Sequence, residues 1–132
     1  MKISELTEEQ MELINSNLQE AREHYHAAFV IEDVDFIDCD EVCGLYTDMM
    51  YGLKSGEIES YEITRLVGTA FGHLFVTNKG FCWVEVEIDE DNVDMAVHNS
   101  QTGETVYPFN AVHKRVVNQE SDAFICSLYT TF

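Results

Sequence analysis

The stretch Leu74-Phe75-Val76-Thr77-Asn78-Lys79-Gly80-Phe81-Cys82-Trp83-Val84-Glu85-Val86-Glu87-Ile88 changes its hydrophobic period half-way along. Up to Asn78-Lys79-Gly80 the apolar residues recur at three and four, the spacing of one helix face. After Gly80 they alternate. Cys82, Val84, Val86 and Ile88 fall on one side of a strand, and Phe81, Trp83, Glu85 and Glu87 on the other. A helical half and a strand-forming half therefore meet at one turn.

Three helices are predicted before that turn. Thr7-Glu8-Glu9-Gln10 fits a capping box, with Leu6 and Met11 at staple positions. Met11, Ile14, Leu18, Ala21, Tyr25 and Ala28 then form the apolar stripe of the first helix. The second helix starts near Asp38 or Asp40, carries Val42, Leu45, Tyr46, Met49 and Leu53, and stops at Lys54-Ser55-Gly56. The third runs from Ile58 or Ser60 to Thr77 on Ile63, Leu66, Val67, Ala70, Phe71 and Leu74. Gly68 and Gly72 lie one turn apart in it. Each costs roughly 1 kcal/mol against Ala in a helix, so they predict the close approach of another backbone.

Beyond Gly80 the turns Asp89-Glu90-Asp91-Asn92 and 99–103 separate strands at 81–88, 93–98 and 104–107. Short connections make these an antiparallel meander. Pro108 ends it, 109–117 reads as a short helix, and Ser121 caps a last one that buries Phe124, Ile125, Leu128 and Tyr129. The expectation is one α+β domain over residues 1–132. N-terminal helices pack on one face of a three-stranded meander, with one or two helices at the C-terminus. Trp83, Glu85 and Glu87 are expected near or on the other face.

The segment Leu66-Val67-Gly68-Thr69-Ala70-Phe71-Gly72, the strand start Phe81-Cys82-Trp83-Val84, Ala96-Val97-His98, and Val106-Tyr107-Pro108-Phe109-Asn110-Ala111-Val112 with Lys114-Arg115-Val116 follow one another in order. This pattern resembles the domain of unknown function 3806 family over residues 60–117. The resemblance implies the fold and a bacterial origin. It implies no activity, and the acidic segment before Gly56 lies outside it.

The chain has 132 residues, with 7 Lys and Arg against 25 Asp and Glu, a formal net charge of -18. That length suits one core. An apolar content of 45% is too high for a disordered acidic tail. No apolar run is long enough for a transmembrane helix. Met1-Lys2-Ile3-Ser4-Glu5 does not resemble a signal peptide, so a cytoplasmic location with reduced thiols is expected. The charge argues against nucleic acid and anionic membranes as direct partners.

Local motifs for chemistry fail one by one. Cys39 and Cys43 are four apart and do not form a C-x-x-C pair, while Cys82 and Cys126 stand apart in sequence. An EF-hand frame from Asp33 meets Ile37 at its fifth position, and one from Asp89 meets Val93. There is no nucleophile elbow and no phosphate-cradling glycine loop. His73 with Cys82 or Cys126 is a pairing that nothing in the sequence demands. His98 and His113 flank turns and read as surface or half-buried side chains. No catalytic residue, metal ligand or cofactor is assigned.

A small domain works with a net charge of magnitude about 2 to 8, and this one is well past that. A solvated acidic face is one explanation. The functional one is a basic protein partner, steered and held in register by clustered carboxylates. The candidate contact residues are Glu32, Asp33, Asp35, Asp38, Asp40 and Glu41 in one run, and Glu85, Glu87, Glu90 and Asp91 around the first strand and turn. Trp83 and Tyr107 are candidate aromatic anchors. The expected function is a non-enzymatic binding protein, an immunity protein or antitoxin against a basic, nuclease-type toxin. The alternatives are a housekeeping or phage-borne domain with a small-molecule or metal site, and a homo-oligomeric module held by its C-terminal helix.

Overall fold

The Thr7 hydroxyl accepts the Gln10 amide, and the Gln10 side chain accepts the Thr7 amide. This reciprocal cap is the one the sequence predicts. In the computed structural model, which describes residues 2–132, it separates strand β1 (Lys2–Glu5) from helix α1 (Glu8–Phe29). The Asp38 carboxylate accepts the Asp40 amide and opens α2 (Cys39–Ser55), which ends on Gly56 at φ 84°. Helix α3 (Ser60–Lys79) ends on Gly80 at φ 74°. Both glycines occupy the left-handed region that closes a helix at little cost only without a Cβ. Strands β2 (Cys82–Asp89), β3 (Asn92–His98) and β4 (Thr105–Val106) follow, then α4 (Pro108–Val117) and α5 (Ala123–Thr131).

The sheet has four strands in the order β1-β2-β3-β4, all antiparallel. The predicted meander is β2 to β4, so the expected three strands become four. The added strand pairs Lys2 with Glu87 and Glu5 with Val84. Its four residues are exposed, so no alternation of burial is imposed on Lys2-Ile3-Ser4-Glu5. What places it is backbone pairing with β2, which leaves no hydrophobic signature.

Helix α3 packs against α1, α2, α4 and the sheet and is buried along most of its length. Its aromatic residues run into the last helix. Phe71 meets Phe75 and Phe124 edge-on, and Phe75 meets Phe81, Tyr129 and Phe132. Edge-to-face contacts of this kind add about 0.5–1.5 kcal/mol each beyond area burial. Between α1 and α3 the buried Asn17 donates to the Thr69 hydroxyl and accepts from Arg65, whose other nitrogen reaches Glu20 at 2.6 Å. The buried polar groups at this contact are thus paired.

The face of β2 is the main correction. Trp83 lies on the helix side: its ring sits against Gly72 and stacks on Phe109 with centroids 5.7 Å apart. Register places Trp83 beside Val97 and Val97 beside Val106, both in the core. Cys82 and Ile88 are exposed, while Val86 is fully buried. A large aromatic outweighs the glutamates that share its alternation. Those glutamates lie nearer the hairpin tip, beyond the contact that covers Trp83.

The approach at the glycines is also made chiefly by side chains rather than by backbone. A Cβ on Gly72 would lie 2.3 Å from the Trp83 ring and 3.1 Å from Pro108. One on Gly68 would lie 2.5 Å from the Phe109 ring and 3.2 Å from its Cα. Gly72→Ala is expected to destabilise by about 1–3 kcal/mol, the cost of overpacking a filled core. Urea unfolding should show a lower midpoint at an unchanged slope. An unchanged midpoint would contradict the packing described.

Asp94 pairs with Val86 in the sheet, and burial pushes its carboxyl above the ordinary aspartate value. The folded chain therefore binds that proton more tightly than the unfolded chain does. Its penalty is absent at low pH and grows as pH rises through the two values. Asp94→Asn should raise Tm at pH 7 and lose that advantage near pH 3, below the ordinary value of about 3.9. Thermal melts at both pH values check this.

Candidate functional site

Between α1 and α2 the chain takes an unusual path. Val30, Asp33 and Phe36 all have left-handed backbone, at φ 55°, 58° and 53°. Aspartate tolerates this region, but a β-branched or bulky residue is strained there, and such strain costs on the order of 1–3 kcal/mol. The surroundings hold it. Val34 and Phe36 are buried, and Tyr25 meets Phe36 edge-on at 5.7 Å. Arg22 donates to the Val34 carbonyl at 3.1 Å and faces Asp35 at 3.8 Å. Asn78, at the end of α3, donates to the Ile37 carbonyl at 2.7 Å. The Glu41 carboxylate accepts the Ile37 amide at 3.1 Å. Two apolar pegs and four polar ties thus fix a loop that has no regular structure.

The outward side of this loop mixes charge with apolar surface. Glu32, Asp33, Asp35, Asp38 and Asp40 are exposed. So are Phe29, Val30, Ile31 and Ile37, Val30 at 81%. Charged residues among exposed aliphatics, on a braced backbone, are the ingredients of an interface rather than of a solvated tail. Three of the predicted contact residues have structural tasks as well: Asp35 faces Arg22, Asp38 caps α2, and the half-buried Glu41 ties the loop. Glu32 and Asp33 also edge a cleft of about 350 Å³ with Arg22 and His26.

The second predicted set is at a distance. Asn78 fastens the loop to the end of α3, and the Asn99 side chain donates to the Lys79 carbonyl, so the loop and the base of the β2–β3 hairpin lie at that end. Glu90 and Asp91 sit at the tip. A strand rises about 3.3 Å per residue, which puts the tip some 25 Å away. Glu85 is half-buried midway and Glu87 exposed. At the tip, the Asp89 carboxylate accepts the Asn92 side chain and the Asp91 amide. These bonds, the Asn92 one foremost, hold its pKa below the ordinary value. The two acidic sets therefore form separate surfaces, and Trp83 belongs to neither.

Thiols and histidines sort differently from the sequence expectation. His73 faces Thr77 at 3.2 Å, not a cysteine, and burial followed by the nearby Arg22 lowers its pKa. Cys126 on α5 instead lies 3.8 Å from Cys43 on α2, Sγ to Sγ. Burial foremost, then the bond to Cys126, pushes Cys39 and Cys43 up to about 12. Among the described residues no three His, Cys, Asp or Glu side chains are placed to hold a metal ion. The half-buried His24 meets Asp48 at 3.2 Å. Sequence separation hid both the Cys43–Cys126 and the His24–Asp48 contacts.

The family model described as a domain of unknown function (DUF3806) matches residues 50–124, from the last turns of α2 to the start of α5. The chain belongs to this family. The matched span contains α3, the meander and α4, and it leaves out β1, α1 and the acidic loop. DUF3806 membership thus covers the scaffold on which the loop is mounted. No curated protein matches the chain. Among solved structures, a protein from Bacteroides thetaiotaomicron superimposes with a TM-score of 0.68 at 13% identity, over 90% of this chain and 42% of its own. At that identity the likeness is one of fold alone, and this chain spans less than half the length of that relative. No helix among the described residues is long and apolar enough to cross a membrane.

Native thiol labelling should modify the exposed Cys82 at once and leave Cys39 and Cys43 at least about tenfold slower until urea is added, because only the thiolate reacts. Rapid native modification of either helix thiol would contradict the burial assigned to them.

Proposed function

We propose that this protein is a non-enzymatic acidic binding protein whose partner is a basic protein, and that the α1–α2 loop makes the contact. The observation that carries the reading is the braced loop with the first turn of α2, which together show five exposed carboxylates among exposed aliphatic residues, with left-handed backbone at Val30, Asp33 and Phe36. Holding a strained loop in one shape reduces the ordering cost of binding. Clustered carboxylates raise the rate of encounter with a cationic surface and penalise the wrong partner. A basic partner that itself binds phosphates fits best, since a carboxylate row can occupy the cleft in place of nucleic acid. That is the logic of a bacterial immunity protein or antitoxin acting on a nuclease-type toxin in the cytoplasm.

The charge supports the same reading. Of the 7 Lys and Arg residues, Arg22, Arg65 and Arg115 each already face one carboxylate (Asp35, Glu20 and Glu120), Lys79 donates to the Tyr129 carbonyl, and Lys54 lies over the Tyr51 ring. Few remain to neutralise the carboxylates at the surface. The loop surface is favoured over the hairpin because its backbone is braced and more apolar area accompanies the charge there: Phe29, Val30, Ile31 and Ile37, against Ile88 and Val93 at the hairpin.

The test is capture from the native cell at low and at high salt, with Asp33→Ala, Asp35→Ala and Asp38→Ala variants beside a combined Glu85→Ala, Glu87→Ala control. The expected result is one basic protein in stoichiometric amount, weakened by salt. The loop variants should reduce its affinity about three- to tenfold each, as interfacial charges do. The hairpin control should retain it. Unchanged capture by all three loop variants would refute the loop as the contact.

A further inference from the structure

Beside the loop, α1 and α2 enclose an apolar groove of about 430 Å³, lined by Phe29, Gly44, Thr47, Asp48, Tyr51 and Asp122 among others. The face of α2 that forms its floor follows helical spacing: Asp40, Gly44, Thr47, Asp48 and Tyr51. The Phe29 ring lies over Gly44, close enough that a Cβ there would touch it in ordinary van der Waals contact at 3.5 Å. Tyr51 stands two turns further along and is 67% exposed, while Phe29 is 41% exposed. At 1.5 Å per residue the two aromatic walls are about 10 Å apart along the axis. Three carboxylates rim the space between them: Asp40, Asp48 and Asp122. The Asp122 carboxylate is steered by the Thr47 hydroxyl at 3.0 Å, and one Asp48 oxygen faces His24.

We infer that this groove is the socket for an arginine or lysine side chain of the basic partner. The aliphatic stem would lie on the apolar floor beside Gly44 and Thr47. The cationic head would meet carboxylates and the Tyr51 ring, where it would replace the chain's own Lys54 ammonium, 5.9 Å from the ring centroid; the two contacts together reward a cation more than either does alone. Guanidinium is the better fit, because it stacks on aromatic rings and takes carboxylates in a fork. Charge complementarity selects the occupant: an apolar groove lined by three aspartates disfavours an apolar or an anionic side chain. Asp40 belongs both to the groove and to the acidic run, so the socket continues the loop surface. The inference rests on the binding function proposed above, and it adds the anchor and its chemistry.

The experiment uses the full chain and the acetylated, amidated tripeptide Arg-Arg-Arg as probe, followed by backbone NMR during titration. The expected shifts concentrate at residues 40–51 and Asp122, with a weaker response at the hairpin tip around Glu90. Tyr51→Ala, at a highly exposed position that should leave the fold intact, is expected to weaken the probe about two- to fivefold, the size of an exposed cation–π contact. Phe29→Ala should do the same, and Tyr51→Phe should bind as the parent does. Equal shifts at the groove and the hairpin tip, with no loss in Tyr51→Ala, would overturn the socket and leave only diffuse attraction to a negative surface. Capture of the cellular partner separates the two proposals. If the loop variants lose it and Tyr51→Ala does not, the binding function stands and the socket falls. If neither loses it, both fall.

Discussion

The contact on which this fold rests is the seating of Trp83 and Phe109 on the two glycines of α3. Residues 68 and 72 have no side chain because the indole and the phenyl ring occupy the space that a Cβ would need. Through that contact α3 becomes the element on which the rest is assembled. The sheet is laid on it by Trp83, α4 by Pro108 and Phe109, and α5 by the aromatic cluster around Phe75. Helix α1 is fastened to its other side by the Asn17, Thr69 and Arg65 bonds. The glycines each lower helix propensity, and the ring packing they admit offsets that cost.

The acidic loop depends on the same helix. Its buried pegs, Val34 and Phe36, belong to the common core, and Asn78 at the end of α3 holds the Ile37 carbonyl. Arg22, on α1, supplies the donor that the Val34 carbonyl needs. A loop with three left-handed non-glycine residues persists because rigid elements over-determine it from two sides. The family match ends short of this loop, so what is shared within DUF3806 is the scaffold.

Much of this was legible in the sequence, and the reasons differ by element. The Thr7–Gln10 cap, the Asp38 cap and the glycine stops are local chemistry, so the helix boundaries follow from a few residues each. The meander follows from alternation. Alternation, however, names two faces without saying which one meets the helices, and on β2 the tryptophan shares its face with two glutamates. Strand β1 has no burial pattern to read. The acidic run was visible as composition, whereas its shape was not, since Val30 and Phe36 are not residues that ordinarily adopt left-handed backbone. The groove between Phe29 and Tyr51 needs two helices and α5 to exist, and no spacing within one segment announces it.

If clustered carboxylates on a preformed loop are what the partner meets first, the electrostatic term belongs to the encounter. The direct measurement is stopped-flow association of the captured partner with the intact chain over a range of ionic strength. The account predicts an association rate that falls at least about tenfold between 50 and 500 mM salt, as the screening length shrinks, with dissociation changing far less. An association rate indifferent to salt would contradict it.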